Sequence, residues 1–129
     1  GYTVITGKHN PQSKYLRYRR ETVKQLFQVA QRFGFKDSTV HLTVTIYDHF
    51  LQVDQMVDKL RSTYKSCNGV VSEQICIFVA SVCLFIGAKY SEIKYPVVED
   101  VCQLMQCPFS FDEFIEMEKV ILQDYEWNL

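Results

Sequence analysis

The stretch from residue 72 to residue 96, SEQICIFVASVCLFIGAKYSEIKYP, decides the fold. Its run from Ile75 to Ala88 is apolar or small at all 14 positions. A helix that is apolar all round lies either in a membrane or at the centre of a bundle. Fourteen residues rise about 21 Å, short of the ~30 Å hydrocarbon core, so we expect no membrane partner and a bundle core instead. Lys89 would then end the most buried helix of the molecule.

The composition limits the classes of protein that the chain can belong to. With 129 residues, 47% of them hydrophobic, it has enough apolar side chains for one globular domain with its own core. A formal net charge of −1 gives no overall basic signature, so we expect no nucleic-acid partner. Three prolines and five glycines are too few for an all-β domain rich in turns.

The cysteines indicate a reducing environment. They form an odd set of five, namely Cys67, Cys76, Cys83, Cys102 and Cys107. Most lie on apolar helical faces, which suggests reduced thiols in the nucleus, the cytoplasm or both rather than a disulfide framework. No pair has CxxC spacing, so we expect no structural zinc, and no other metal or cofactor. The start at Gly1, without a signal peptide, suggests a piece cut from a longer protein.

Outside the central helix, which we place at about 72–91, the pattern predicts one domain. Residues 1–13 show no sustained period and are expected to form an N-terminal arm, while 14–129 form a single domain. Its first helix runs to about Phe33, and Gly34 stops it. After the central helix, one helix opens at Pro96 and a last one opens with the capping box Ser-Phe-Asp-Glu.

The segment that follows Asp37 carries two opposing signals. Its apolar residues alternate with polar ones, which taken alone is a strand pattern; they are Val40, Leu42, Val44 and Ile46. We predict a helix because no second convincing strand exists to pair with it, and in part because of the resemblance described below. Gln52–Tyr64 then shows helical spacing. The expected fold class is all-α, with five main helices and a short extra helix between the second and third.

Two charged residues are out of place in this pattern. Lys89 ends the apolar helix, and Glu118 lies within an apolar arc of the last helix. A charge in an apolar stripe is costly unless it is paired or meets a partner. The periodicity leaves two interpretations open. Either the two side chains form an ion pair within the domain, or they lie on an apolar surface and hydrogen-bond to the backbone of another protein.

A second pair of charges, Arg19 and Asp48, is predicted to form a buried structural ion pair between the first two helices, since Asp48 interrupts an apolar run. The search for a catalytic site finds no Ser/His/Asp or Cys/His signature around His41 or His49. Gly87 is isolated inside a helix, which predicts close helix packing rather than a phosphate-binding loop. We therefore predict that the chain is not an enzyme.

Four segments of the chain match a known family. The strongest are FIGAKYSEIKYPVVEDVCQL and FDEFIEMEKVILQDYEWNL, at 85–104 and 111–129. RYRRETVKQLFQVAQRFGF and STVHLTVTIYDHFL add two further helices, at 17–35 and 38–51. Together these segments resemble the cyclin box in its mitotic A/B-like form, over roughly 15–129.

The resemblance implies a five-helix cyclin fold whose third helix is surrounded by the others. In the family, an Arg–Asp pair is internal scaffolding, here Arg19 and Asp48. The family's Lys and Glu, here Lys89 and Glu118, hydrogen-bond to the backbone of a kinase segment that leads into its regulatory helix. The apolar residues that would pack on that helix are Ile86, Tyr90, Leu122, Trp127 and Leu129. The position that is normally leucine holds Phe78, a conservative departure.

The implied function is that of a regulatory subunit, which binds a cyclin-dependent kinase in a heterodimer and activates it allosterically through helices 3 and 5. Binding would hold the kinase helix inward, so that its glutamate pairs with the ATP-positioning lysine. The alternative keeps the fold but changes the partner: a cyclin-fold protein–protein adaptor in a transcription or assembly complex without a kinase.

Three features depart from the family pattern. The positions of its substrate-docking patch hold Tyr18, Glu21, Thr22 and Gln25 instead of methionine, aliphatic residues and tryptophan. Docking of short cyclin-binding motifs is therefore not expected. The segment Gln52–Val71 is longer than the usual connection between helices 2 and 3. The chain holds one box where mitotic cyclins carry two, so it is either a piece of such a protein or a single-box protein.

Overall fold

The computed structural model describes residues 18–51, 72–107 and 109–126. Over these residues the protein is all-helical and contains no strand. The five helices are α1 (Arg19–Phe33), α2 (Asp37–Leu51), α3 (Ser72–Ser91), α4 (Val98–Met105) and α5 (Phe111–Glu126). The predicted all-α, five-helix fold is confirmed. The arm predicted over 1–13 and the extra helix predicted over Gln52–Tyr64 lie outside the described residues.

Helix α3 is the centre of the fold, since it contacts each of the other four helices. Every residue from Phe78 to Ala88 is buried. Because this run has no polar face, apolar neighbours on all sides are the arrangement that removes it fully from water. The predicted central helix is confirmed, with the predicted bounds.

The length of α3 alone does not separate a core helix from a membrane span. The helix has 20 residues, and its window Gln74–Ser91 is long and apolar enough to cross a membrane by length and composition. However, 72% of that window is buried inside the protein. Burial by the other helices, rather than the shortness of the apolar run, is therefore the evidence for a core helix.

Helices α2 and α3 approach most closely at Gly87. A Cβ atom built there would lie 2.3 Å from Thr43 Oγ1 and 3.3 Å from the carbonyl oxygen of Thr39. The Thr43 hydroxyl donates to that same carbonyl at 2.8 Å, so it is satisfied within α2. The close packing predicted for Gly87 is confirmed, and the α2–α3 contact leaves no room for a side chain there.

The burial of α2 explains its alternating sequence. Its fully buried residues follow helical spacing and are Thr39, Thr43, Ile46, Tyr47 and Phe50. Val40 and Val44, which carry the alternation, are only half-buried. Two threonines thus occupy the core-facing stripe, which makes the sequence look alternating although the segment is a helix. The predicted helix is confirmed.

Two predicted helix boundaries are present. Gly34 ends α1 with φ of 75° and donates its N–H to the carbonyl oxygens of Ala30 and Gln31. At the start of α5, the Ser110 N–H donates to Glu113 Oε1 at 3.0 Å, and the Glu113 N–H donates to Ser110 Oγ at 3.2 Å. This reciprocal pair is the predicted capping box. The helix predicted to open at Pro96 begins two residues later, at Val98, because Val97 is still extended and caps the helix.

Candidate functional site

The last turn of α3 and the middle of α5 meet in an ion pair. Lys89 Nζ donates to Glu118 Oε2 at 2.5 Å. The Glu118 side chain is only 10% exposed, whereas 33% of the Lys89 side chain is exposed. The structure therefore contains the ion pair within the domain, and the pair lies at the surface rather than in the core. Both interpretations of these two residues remain compatible with this geometry.

The Lys89 ammonium group packs on an aromatic ring. Its Nζ lies 5.0 Å from the centroid of the Phe85 ring, within the range of a cation–π contact. Phe85 in turn packs edge-to-face against Phe114, with centroids 5.7 Å apart, and against Tyr95, with centroids 6.2 Å apart. Because Phe114 and Tyr95 hold the Phe85 ring in place, the contact with that ring restricts the conformations of the lysine side chain.

An exposed apolar surface lies next to the pair in the chain. We call it the corner surface and define it as Tyr90, Ile93, Tyr95 and Val97, from the last turn of α3 to the residue before α4. All four are exposed, and Ile93 is 96% exposed. Single exposed apolar residues are ordinary, but several together on one short segment are typical of protein-binding sites.

The residues predicted to bind a partner differ in how exposed they are. Tyr90 is exposed and Leu122 is half-buried on α5, one turn beyond Glu118. Ile86, which the resemblance places in contact with the partner's helix, is 1% exposed in the free chain and belongs to the core. Its place on a helix apolar all round gave no sign of which side would face a neighbour. Trp127 and Leu129 lie outside the described residues.

Sequence reasoning missed three members of the corner surface, Ile93, Tyr95 and Val97. For Ile93 and Tyr95 the available signal was their position between the predicted end of α3 near Ser91 and the helix predicted to open at Pro96, where no helix period requires apolar side chains. Val97 falls inside that predicted helix and carried no such signal. Apolar residues in a short connection between helices have no core face to fill, which favours an interface. These apolar residues follow closely on the long apolar run of α3, and for that reason they did not stand out as a separate feature of the sequence.

Glu92 fixes the corner surface to the start of α2. Its Oε2 accepts from the Thr39 hydroxyl at 2.6 Å and from the Lys36 backbone N–H at 2.7 Å. These hydrogen bonds, first from Thr39 and then from Lys36, lower the pKa of the Glu92 carboxyl. A carboxylate at a helix N-terminus also meets a favourable dipole. Glu92 is a positioning residue that the sequence pattern did not indicate.

Arg19 and Asp48 form an ion pair with two hydrogen bonds. Arg19 Nε donates to Oδ1 at 2.6 Å and Nη2 donates to Oδ2 at 2.7 Å, in the parallel geometry of a guanidinium and a carboxylate. The side chains are 39% and 31% exposed, so the pair is not buried as the sequence pattern suggests. The pair joins α1 to α2 near the surface, because Asp48 lies beside the buried stripe of α2 rather than on it.

The positions of the family's docking patch are occupied by internal hydrogen bonds. Thr22 is buried and donates its hydroxyl to the Tyr18 carbonyl oxygen at 2.8 Å. Gln25 Nε2 donates to the Met105 carbonyl oxygen at 2.8 Å, which satisfies the end of α4. Gln25 thus joins α1 to α4 and Thr22 returns its hydroxyl to the preceding turn, which gives a physical reason for the departure at these two positions.

Residues with metal-binding potential do not converge in the described part of the chain. Within it, no group of three or more His, Cys, Asp or Glu side chains could hold a metal ion. His41 and His49 both lie on α2, and His41 is exposed. Burial, followed by the charge of Asp48, raises the pKa of the Cys83 thiol, so this thiol stays protonated at neutral pH.

Comparisons with known proteins agree with the fold. Residues 3–129 match the family model described as "Cyclin, N-terminal domain". The chain is 29% identical over 133 residues to G2/mitotic-specific cyclin-4 of Candida albicans, covering 97% of this chain and 24% of that protein. It is 31% identical over 113 residues to G2/mitotic-specific cyclin-B2 of Oryzias latipes, covering 88% of this chain and 25% of that protein.

A plant relative gives the same result. The chain is 29% identical over 104 residues to cyclin-B2-1 of Oryza sativa subsp. japonica, covering 81% of this chain and 21% of that protein. The chain thus spans about a quarter or less of the length of these relatives. No solved structure matches significantly. The family match extends over nearly the whole chain, and the chain therefore belongs to the cyclin family, with the fold of its N-terminal domain.

Proposed function

We propose that this chain binds the catalytic subunit of a cyclin-dependent protein kinase and activates it allosterically through α3 and α5. Membership of the cyclin family and relatives named G2/mitotic-specific cyclins support a regulatory role in the cell cycle. The observation that carries the proposal is the Lys89–Glu118 pair beside the exposed corner surface. A kinase partner would place the protein in the nucleus or cytoplasm.

The ion pair keeps hydrogen-bonding capacity for a partner. A lysine ammonium group has three donors, and Glu118 Oε2 uses one of them. A carboxylate accepts several hydrogen bonds, so Glu118 can also accept from a backbone N–H. Together the two side chains offer a donor and an acceptor side by side. This arrangement suits the neighbouring C=O and N–H groups of an extended backbone segment. Recognition would then depend on the partner's backbone rather than on its side chains.

The corner surface supplies the apolar part of the interface. Tyr90, Ile93 and Tyr95 expose apolar area that a kinase helix could cover. Burial of apolar area contributes roughly 25 cal/mol per Å², while the polar pair fixes orientation. Aromatic residues in such a surface contribute large contact area with few rotatable bonds, which limits the entropy lost on binding.

Activation would be a shift in the kinase's conformational equilibrium. A domain that contacts the regulatory helix only in its inward position stabilises that position by its differential affinity. In that position the helix glutamate pairs with the lysine that orients ATP. Under this proposal the chain supplies no catalytic group to the reaction.

The direct test compares four single variants in binding to separately produced cyclin-dependent kinases of the source organism. Lys89→Ala and Glu118→Ala should each weaken binding about tenfold or more, since each leaves a partly buried charge unpaired in the complex. The matched controls are Lys119→Ala and Glu116→Ala, which remove exposed charges of the same types from α5. Both controls should bind like the unmodified chain in calorimetry.

Kinase activity on a peptide substrate should fall in the same order as affinity. The proposal fails if Lys89→Ala and Glu118→Ala bind normally, or if both lose their helical circular dichroism, since the residues would then serve folding alone. Purification of the protein with its natural partners decides between the two functions. Recovery of a kinase supports the proposal, and a stable complex without one supports the adaptor alternative.

A further inference from the structure

The last turn of α4 brings two cysteines together. Gln106 follows the helix in the left-handed conformation, with φ of 58° and ψ of 43°. The Cys107 N–H donates to the Cys102 carbonyl oxygen at 2.9 Å, and the Gln106 N–H donates to that of Gln103 at 3.3 Å. These two bonds form a Schellman motif, whose outer residues usually share an apolar side-chain contact. Here both positions of that contact are cysteines.

Both thiols are accessible from outside the core. Cys102 and Cys107 are half-buried and are not disulfide-bonded. They line a surface cavity of about 290 Å³, whose walls also include Val98, Phe109 and Phe111. By its size this cavity admits a small reagent such as a peroxide, whereas the other described cysteines, Cys76 and Cys83, are completely buried in α3.

The two thiols differ in their readiness to react. The interaction of its side chain with Cys102, with help from the Phe109 N–H, lowers the pKa of Cys107 against the effect of burial. The same interaction, followed by burial, raises the pKa of Cys102. Because the thiolate is the reactive form, Cys107 is the nucleophile of the pair and Cys102 is positioned to react second.

We propose that Cys102 and Cys107 are a redox modification site, at which a peroxide-class oxidant produces a reversible disulfide across the end of α4. The backbone hydrogen bond between the two residues and the cavity that both side chains line place the two thiols on the same side of the helix end before oxidation. This site is separate from the proposed kinase surface and does not depend on it.

The chemistry balances with hydrogen peroxide as the oxidant. The Cys107 thiolate attacks one peroxide oxygen, an S–O bond forms, the O–O bond breaks, and hydroxide leaves and takes up a proton. The sulfur is oxidised by two electrons to a sulfenic acid while the peroxide is reduced. The Cys102 sulfur then attacks the Cys107 sulfur, the S–S bond forms, and the S–O bond breaks with loss of water. In sum, two thiols and one peroxide give one disulfide and two waters.

The sequence provides a clean readout for this reaction. Trypsin releases residues 95–119 as one peptide, because no Lys or Arg lies between Lys94 and Lys119. This peptide contains Cys102 and Cys107 and no other cysteine. The chain is treated with hydrogen peroxide, quenched, denatured, alkylated without reduction and digested. We expect the peptide to lose both alkylation sites and to be about 2 Da lighter than its reduced form, with both sites restored by dithiothreitol.

Two serine variants test the order of the steps. Cys102→Ser should retain a Cys107 sulfenic acid that a sulfenic-acid trapping reagent labels, whereas Cys107→Ser should show about tenfold less labelling at Cys102. The inference is overturned if the unmodified chain keeps both alkylation sites in peptide 95–119 after peroxide treatment. Equal labelling of the two variants would overturn the assignment of Cys107 as the nucleophile. The main result uses the unmodified chain and needs no variant to fold.

Discussion

The end of α3 contains two neighbouring regions with opposite properties. At Gly87 the helix meets α2 so closely that a Cβ atom would lie 2.3 Å from Thr43 Oγ1. Two residues later Lys89 reaches solvent, and Ile93 beyond it is 96% exposed. Apolar side chains occur in both regions, so residue type does not separate them. The neighbouring helix separates them: α2 covers Gly87 completely, whereas Lys89 is only partly covered by α5 and Ile93 is almost fully exposed.

Gly87→Val should produce the largest effect and tests the packed region. Its Cβ alone overlaps Thr43, and the added methyl groups would force α2 and α3 apart. We expect the free energy of unfolding to fall by about 3 kcal/mol or more, measured by urea denaturation. Gly87→Ala with Thr43→Ala should recover part of the loss seen in Gly87→Ala alone. If Gly87→Ala alone gains stability, by up to about 1 kcal/mol from helix propensity, close packing does not limit this site.

The pair at the boundary of the two regions is tested by removing both charges. Lys89→Met and Glu118→Leu should each cost about 1–2 kcal/mol of stability, because each leaves the other charge unpaired and partly buried. The double variant should return to within about 1 kcal/mol of the unmodified chain, since apolar side chains of similar size replace the pair.

Kinase binding should not return in that double variant. We expect its affinity for the kinase to stay at least about tenfold weaker than that of the unmodified chain, because an apolar pair cannot hydrogen-bond to a partner's backbone. A double variant that binds normally would show that the pair serves the domain alone. Denaturation and calorimetry on the same four proteins give both quantities.

Ile93→Ser tests the exposed region. We expect the free energy of unfolding to stay within about 0.5 kcal/mol, because the side chain contacts little in the free chain, while affinity for the kinase falls about fivefold. Ile75→Val in the fully buried part of α3 is the matched control. It should lose about 1 kcal/mol of stability and keep its affinity. If Ile93→Ser instead loses stability and binds the kinase normally, Ile93 belongs to the packed part of the molecule and not to a binding surface.

Glu92→Gln should give the smallest effect, and one that depends on pH. The pKa of Glu92 is lowered in the folded chain, so its carboxylate stabilises the fold above the ordinary carboxyl pKa, and this contribution is lost as pH falls through the lowered value. The stability difference between the unmodified chain and the variant should therefore shrink from neutral towards acidic pH. Urea denaturation at several pH values measures it, and a difference that grows on acidification would refute the role.

The architecture could be predicted from the sequence because its signals are strong and local. The apolar run of α3, the capping box before Glu113 and the stop at Gly34 each act over a few residues. The strand-like alternation of α2 was the main ambiguity, since Thr39 and Thr43 occupy core positions. A threonine that returns its hydroxyl to the preceding turn can be buried, as Thr43 is.

The candidate site was less predictable because it depends on which sides the neighbours cover. Periodicity cannot orient a helix that is apolar all round, and the partner contact predicted for Ile86 rests on the family resemblance rather than on the pattern. Exposure of Ile93 and the bonds of Glu92 to α2 are long-range facts that only the folded chain supplies. The charges of Lys89 and Glu118 were found because a lysine or glutamate among apolar residues stands out without any structure.

The attachment of Glu92 to α2 also bears on how fast and how tightly a partner binds. Because Glu92 Oε2 accepts from both Lys36 and Thr39, the segment that carries Ile93 is anchored before any partner arrives. A segment already ordered loses little conformational entropy on docking, so more of the contact energy appears as affinity. Under the proposed function, rigid docking of this kind would place differences among interface variants mainly in the dissociation rate.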